Sequence, residues 1–209
     1  MNIYEHIDYT LLKPTTTYGE IYELCATAVE KGCASVCIPS HFVEFAHKFF
    51  PNLTICTVVG FPLGNSTTDT KRHEAMEAIC NGASEIDMVM NLSEFEEEDY
   101  DYIISEIDTI KCSIGDKILK VIIETCYLNE DEISLVTKVV DESMADYIKT
   151  STGFGTRGAS FKDIELIKSS IDSENGLKIK ASGGIRTREE MEKYIALGCD
   201  RIGASVLPD

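Results

Sequence analysis

Asp146-Tyr147-Ile148-Lys149-Thr150-Ser151-Thr152-Gly153-Phe154-Gly155 reads as a short strand running into a loop of glycines and hydroxyls. Side chains alternate across a strand, so Tyr147, Lys149 and Ser151 share one face, and Ile148 and Thr150 the other. A lysine in the middle of a buried strand loses the hydration of its ammonium. It sheds that cost as a neutral amine, the form that attacks carbonyl carbons. The alternative is a lysine at a strand end reaching into water, and only the surrounding chain decides between the two.

Outward from this stretch, short β-branched runs alternate with longer helical patterns. Strand-like runs fall at residues 6–12, 34–39, 54–61, 85–91, 117–124, 146–151, 177–182 and 201–205. Helical patterns lie between them at residues 18–31, 41–50, 68–81, 94–111, 131–143, 160–170 and 187–197. Thr187 with Glu190 three residues on is a capping box that marks the last helix start. Strands that alternate with helices pair in parallel, and eight of them predict an α/β fold of the closed (β/α)8 TIM-barrel type. An open doubly wound sheet would carry a glycine fingerprint after its first strand, and HIDYTLLKP carries none. No Pro/Ser-rich linker interrupts residues 1–209, which are expected to form a single barrel domain.

The formal net charge of −17 over 209 residues argues against nucleic acid or an anionic membrane surface as partner. Any anionic ligand must then be held by local donors against the global field. Eight cysteines lie mostly within apolar runs such as SVCIP and LTICTVV, without C-x-x-C pairs. Reduced, buried thiols and hence a cytoplasmic location are expected. No run approaches the length of a membrane span, and MNIYEHIDYTLLKP has no basic segment followed by an apolar one.

Period two places charges inside the barrel. Asp8, Thr10 and Leu12 share a face, as do Ser35 and Cys37; Glu85, Asp87, Val89 and Asn91; Lys120, Ile122 and Glu124; Lys149 and Ser151; and Lys178 and Lys180. The complementary face is mostly apolar, as it must be where helices cover the sheet, although parallel strands buried on both sides should be apolar throughout. Three acids (Asp8, Asp87, Glu124) balance three bases (Lys120, Lys149, Lys180), while Lys117 and Lys178 sit at strand starts near solvent. A purely structural ion-pair network is the competing reading. Lys149 and Lys180 lie on consecutive strands, so a cationic Lys180 is expected to lower the pKa of its neighbour and leave a nucleophile. Asp87 is placed to take and return protons. That constellation suits Schiff-base chemistry on a carbonyl.

Glycines follow the last three strands: Gly153-Phe154-Gly155, Gly183-Gly184-Ile185-Arg186 and Gly203-Ala204-Ser205. Barrel enzymes often bind phosphate in the loops after strands seven and eight. Glycine lets backbone N–H groups approach the oxygens, and the helix starting near Thr187 offers its positive end. Arg186 is a candidate charge-assisted contact, with a surface role as the alternative.

Taken together and in order, IDYTLL, SVCIP, TVVGFPLG, EIDMVMN, LKVIIET, DYIKTSTGF and IKASGGIR closely resemble deoxyribose-phosphate aldolases over nearly the whole chain. The resemblance implies a class I aldolase without metal or other cofactor, which interconverts 2-deoxy-D-ribose 5-phosphate with acetaldehyde and D-glyceraldehyde 3-phosphate. It makes Lys149 the Schiff-base lysine, Lys180 the second lysine and Asp87 the proton-relay carboxylate. Asp8, Cys37, Lys120 and Thr150 become pocket residues, and Gly153, Gly183, Gly184, Arg186, Gly203 and Ser205 the phosphate side. It also implies a small phosphosugar partner and a homo-oligomer, dimer or tetramer. None of the four histidines forms a ligand pair such as H-x-x-x-H.

Two departures qualify the match. Phe154 stands where some relatives carry lysine, which leaves phosphate to backbone donors with Arg157 or Arg186. The chain ends at Val206-Leu207-Pro208-Asp209 where many relatives continue, and slower turnover is the corresponding expectation. Two other readings stay open on sequence. One is a Schiff-base or transaldolase-like barrel acting on another phosphosugar; the other is a phosphosugar-binding barrel without catalysis.

Overall fold

The computed structural model describes residues 2–172 and 174–208. Met1, Ser173 and Asp209, which the sequence reading includes in the domain, lie outside the described residues. Eight parallel strands close into a barrel in sequence order: β1 Ile7–Thr10, β2 Ser35–Ile38, β3 Ile55–Val59, β4 Glu85–Val89, β5 Ile118–Ile122, β6 Tyr147–Lys149, β7 Lys178–Ser182 and β8 Arg201–Ala204. Ile7 pairs with Ile202 and Asp8 with Gly203 to complete the ring. The helices between them are α1 Tyr18–Lys31, α2 Val43–Phe49, α3 Thr68–Cys80, α4 Leu92–Glu96, α5 Tyr100–Ile114, α6 Glu130–Asp141, α7 Phe161–Ser170 and α8 Arg188–Leu197.

Outward residues of the strands such as Val36, Ile86, Leu119, Ile148 and Ile202 have no solvent exposure. They bury against the apolar stripes of the helices, such as Ile103, Ile107 and Ile110 of α5. Burial of each such side chain is worth roughly 1.5–3 kcal/mol. Capping boxes fix the starts of four helices: Thr17 with Glu20, Asn129 with Glu132, Ser160 with Asp163, and Thr187 with Glu190. Because every strand enters from the same end, the loops that follow the strands gather at one rim, where barrel enzymes place their chemistry.

The helical pattern at residues 94–111 is two helices. α4 ends at Glu96, Glu98 takes a left-handed φ of 58°, and Asp99 caps α5 by accepting from the Tyr102 N–H. Like charges three and four apart in EFEEED disfavour an unbroken helix there, and the Asp99 cap offers a new start. The pattern at residues 41–50 likewise begins as a 3-10 turn, Ser40–Phe42, before α2. Outside the barrel, Lys71 of α3 and Glu106 of α5 form a wholly buried ion pair at 2.8 Å, and Lys71 also donates to the Val89 carbonyl at 2.9 Å.

Candidate active site

Alternation along each strand delivers charges to one interior cluster. Asp87 of β4 is its hub, and no part of it is exposed. Lys120 (β5) donates to its Oδ1 at 2.9 Å, while Lys149 (β6) and Lys180 (β7) each donate to its Oδ2 at 2.7 Å. Two lysine nitrogens thus meet at a single oxygen, as neighbours on paired strands should (Lys149 pairs with Lys180). Asp8 (β1) holds Lys180 at 2.5 Å, and Arg201 (β8) at 2.5 Å from its other oxygen. Glu85 (β4) takes Lys120 at 2.5 Å and Arg201 at 3.1 Å.

Burial opposes ionisation of Asp87 more than any other single influence. Lys120, Lys149 and Lys180 together outweigh it and hold the carboxyl well below the usual carboxylate range. Asp8 behaves the same way: burial raises its pKa, but Lys180, Lys120 and Arg201 bring it below the ordinary value. For Lys180, burial favours the neutral amine, yet Asp8 and Asp87 prevail and keep the ammonium, with a pKa above the ordinary lysine value.

Above this cluster, at the rim, lies a cavity of about 270 Å³. Lys149 lies at its inner end and is the one member of the cluster among the described residues that reaches it. Gly153, Gly183, Gly184, Arg186, Gly203 and Ser205, the candidate phosphate side, also line it. Asp8, Cys37, Lys120, Asp87 and Lys180 are fully buried and do not line it.

Several expectations need correction. Glu124 does not balance the lysines: β5 ends at Ile122, Glu124 turns to a positive φ of 48°, and its carboxylate accepts from Thr152 instead. Glu85 and Arg201 complete the cluster in its place. Both were within reach of the same alternation, Glu85 two residues before Asp87 and Arg201 two before Gly203. Thr150 faces away from the cavity, and its hydroxyl donates to the Ser182 carbonyl and accepts from the Ser182 N–H. Gly203 belongs to β8 rather than to a loop, and a Cβ there would come within 2.8 Å of the Ser182 Cβ and 3.4 Å of the Lys180 Cε. Arg157 is bound to Asp163 at 2.6 Å and to the Thr125 carbonyl at 2.9 Å, away from the cavity. At the start of α8, Glu190 accepts from the N–H groups of Arg186 and Thr187, so a carboxylate already occupies part of that positive end. Thr10, Lys13, Thr152, Phe154 and Ser182 line the cavity without having been singled out for binding. Ser182 shares the parity of Lys180, which was the available signal.

A model of the DeoC/LacD family aldolases matches residues 5–205. The chain belongs to that family. It is 50% identical over 205 residues to a deoxyribose-phosphate aldolase of Clostridioides difficile, covering 98% of this chain and 93% of that protein. A deoxyribose-phosphate aldolase of Clostridium botulinum is 48% identical over 204 residues, 97% and 91% of the two chains. Among solved structures, one described as QR15, an aldolase, superposes with a TM-score of 0.93 at 42% identity, covering 97% and 91%. A deoxyribose phosphate aldolase from Aeropyrum pernix, described as tetrameric, gives 0.86 at 29%, covering 97% and 86%.

In this DeoC/LacD-family barrel Cys37, Cys56 and Asp87 bring two thiols and a carboxylate within 4.8 Å of one another, a grouping that could hold a metal ion elsewhere. Here Lys120 donates to both Cys56 Sγ (3.3 Å) and Asp87 Oδ1, while Cys56 itself donates to Asp87 Oδ1 at 3.1 Å. Ammonium groups already supply the positive charge that a dication would bring, so the donor set does not fit a metal. Among the described residues, no helix is long and apolar enough to cross a membrane.

Proposed function

We propose that the chain is a class I aldolase that reversibly cleaves 2-deoxy-D-ribose 5-phosphate to acetaldehyde and D-glyceraldehyde 3-phosphate. The observation that carries this reading is the Lys149 amine, at the inner end of a cavity and 2.7 Å from a carboxylate oxygen that it shares with Lys180. Relatives that bear this activity in their names, at about half identity over nearly the full chain, support the substrate.

Lys149 as the free amine adds to C1 of the open-chain sugar. Loss of water from the carbinolamine gives an iminium. Asp87, helped by Lys180 and a water that carries the proton from the cavity, takes the C3 hydroxyl proton, and the C2–C3 bond breaks as its electron pair moves into the iminium. Glyceraldehyde 3-phosphate departs and leaves an enamine on Lys149. Protonation at C2 and hydrolysis of the resulting iminium release acetaldehyde and the amine. The iminium is the electron sink, so these steps call for no metal. Backbone N–H groups of Gly183, Gly184 and Ser205, with Arg186, take the phosphate at the rim.

Eight cysteines without a disulfide suit a reducing, cytoplasmic compartment. The tetrameric relative supports a homo-oligomer. Borohydride added during turnover of 2-deoxyribose 5-phosphate, followed by peptide mass spectrometry, is expected to leave a reduced adduct on Lys149. An adduct on Lys120 or Lys180 would keep the aldolase class and overturn the assignment of the nucleophile. Neither adduct nor turnover would overturn the function.

A further inference from the structure

Glu124 is a buried carboxylate at the C-terminal end of β5 with no part in the lysine cluster. Its backbone is left-handed, φ 48° and ψ 66°, a conformation that disfavours any side chain other than glycine, asparagine or aspartate. The barrel ladder enforces it from both sides: the Ile123 N–H donates to the Lys149 carbonyl at 3.0 Å, and the Thr125 N–H to the Thr150 carbonyl at 2.9 Å. Between those two bonds the strand turns the Glu124 side chain off the barrel interior and under the loop that follows Lys149.

There the carboxylate accepts from the Thr152 N–H at 3.2 Å and from the Thr152 hydroxyl in a short contact. The same hydroxyl oxygen accepts from the Phe154 N–H at 3.0 Å. Gly153, between them, has a φ of 85°. Gly155 passes so close that a Cβ would lie 2.5 Å from Cys126 Sγ and 3.3 Å from the Glu124 carboxyl carbon. Thr152, Gly153 and Phe154 all line the cavity, three to five residues beyond Lys149. A backbone conformation of this kind persists only where the surroundings impose it, and such positions cluster at functional sites.

We infer that Glu124 is a positioning residue for the phosphate end of the substrate. Its carboxylate fixes the turn over residues 152–154 so that the turn presents its free Gly153 edge to the phosphate while the Lys149 nitrogen stays over the reacting carbon. The inference rests on the aldolase reading for its substrate. A glutamine at 124 keeps one acceptor oxygen but turns an NH2 toward donors, and Thr152→Val removes the hydroxyl that links Glu124 to Phe154.

The test compares 2-deoxyribose 5-phosphate with unphosphorylated 2-deoxyribose in wild type, Glu124→Gln, Thr152→Val and the double variant. The preference for the phosphorylated sugar, as a ratio of kcat/KM values, is expected to fall on the order of tenfold in each single variant, mostly through KM. The double variant is expected to lose little more, because both changes cut the same link. An unchanged ratio in folded variants, or equal losses on both sugars, would overturn the inference. If Glu124→Gln does not fold, Thr152→Val carries the same comparison alone. Inorganic phosphate supplies a readout independent of turnover: it should raise the melting temperature of the wild type and do so less in the variants. A wild type that responds to phosphate but turns over neither sugar would sink the aldolase reading and leave the positioning role standing; equal phosphate shifts in wild type and variants would sink the positioning role.

Discussion

Replacing Asp87 with asparagine keeps the side chain's shape and removes the charge on which three ammonium groups converge. Lys120 donates to one oxygen at 2.9 Å, and Lys149 and Lys180 to the other at 2.7 Å. An amide has one oxygen and one NH2, so in either orientation its NH2 faces ammonium donors. The less costly one directs the oxygen at Lys149 and Lys180 and the NH2 at Lys120, which keeps Glu85 at 2.5 Å. Removing one partner of a buried pair costs about 3–5 kcal/mol. With three cations affected, the upper part of that range is expected at pH 7. The pH dependence has a definite sign. The carboxyl of Asp87 is depressed in the folded state, so its stabilisation is complete above the unfolded value near 3.9 and is lost as the pH falls toward the folded one. At pH 3 the unfolded carboxylate is already mostly protonated, and the gap between wild type and Asp87→Asn should narrow by about 1 kcal/mol. Urea unfolding followed by far-UV circular dichroism at both pH values measures the gap. A difference below about 1 kcal/mol at pH 7, or one that widens at pH 3, would refute the cluster as described. In the same variant kcat is expected to fall roughly 10²–10⁴-fold, the range for losing a general acid–base.

Three further outcomes separate structural from functional charges. Lys71→Met strands Glu106 in the α3–α5 interface and should cost about 3–5 kcal/mol in urea unfolding, whereas Lys71→Met with Glu106→Leu should recover most of it. Arg186→Met should raise KM for the phosphorylated sugar about tenfold or more, as expected for losing a charge-assisted contact. Arg157→Met should lower the melting temperature by freeing Asp163 and leave that KM close to the wild-type value; steady-state kinetics beside thermal melts distinguish the two.

Much of this was legible because the barrel's inner face follows period two. Asp8, Asp87, Lys120, Lys149 and Lys180 fall inward by that rule alone, and parallel closure makes consecutive strands neighbours. The rule fails where the strand ends. Alternation carried to Glu124 placed it among the lysines, but the backbone turns left-handed there and sends it to Thr152. Nothing in LKVIIET signals a positive φ, since glutamate is not a residue that favours one. The same limit governs Arg157, whose partner Asp163 lies six residues on and also caps α7. Its distance from the cavity depends on how the loop folds back, which no periodicity encodes. The break within the 94–111 pattern is hidden from periodicity for a local reason, an acidic run whose mutual repulsion outweighs its helix propensity.

The charge count of the interior explains how a lysine can serve there as nucleophile. Asp8, Glu85 and Asp87 face Lys120, Lys149, Lys180 and Arg201, three acids against four bases. When Lys149 is the free amine, the remaining charges cancel three against three. In the proposed cycle, iminium formation would place a positive charge on that nitrogen, which lies 2.7 Å from Asp87 Oδ2. The proposed cycle would alternate between two charge states that one carboxylate accommodates, which is what preorganised electrostatics requires. Lys180 and Lys120 are held by Asp8 and Glu85 as well as by Asp87, which favours their ammonium forms. Arg201, bound to both Asp8 and Glu85 from the opposite end of the barrel, ties those outer acids together. A network built only for stability would gain more from apolar side chains of similar volume. The retention of one base beyond neutrality, on the one member of the cluster among the described residues that reaches the cavity, is the feature that the proposed chemistry at Lys149 would account for and stability alone does not.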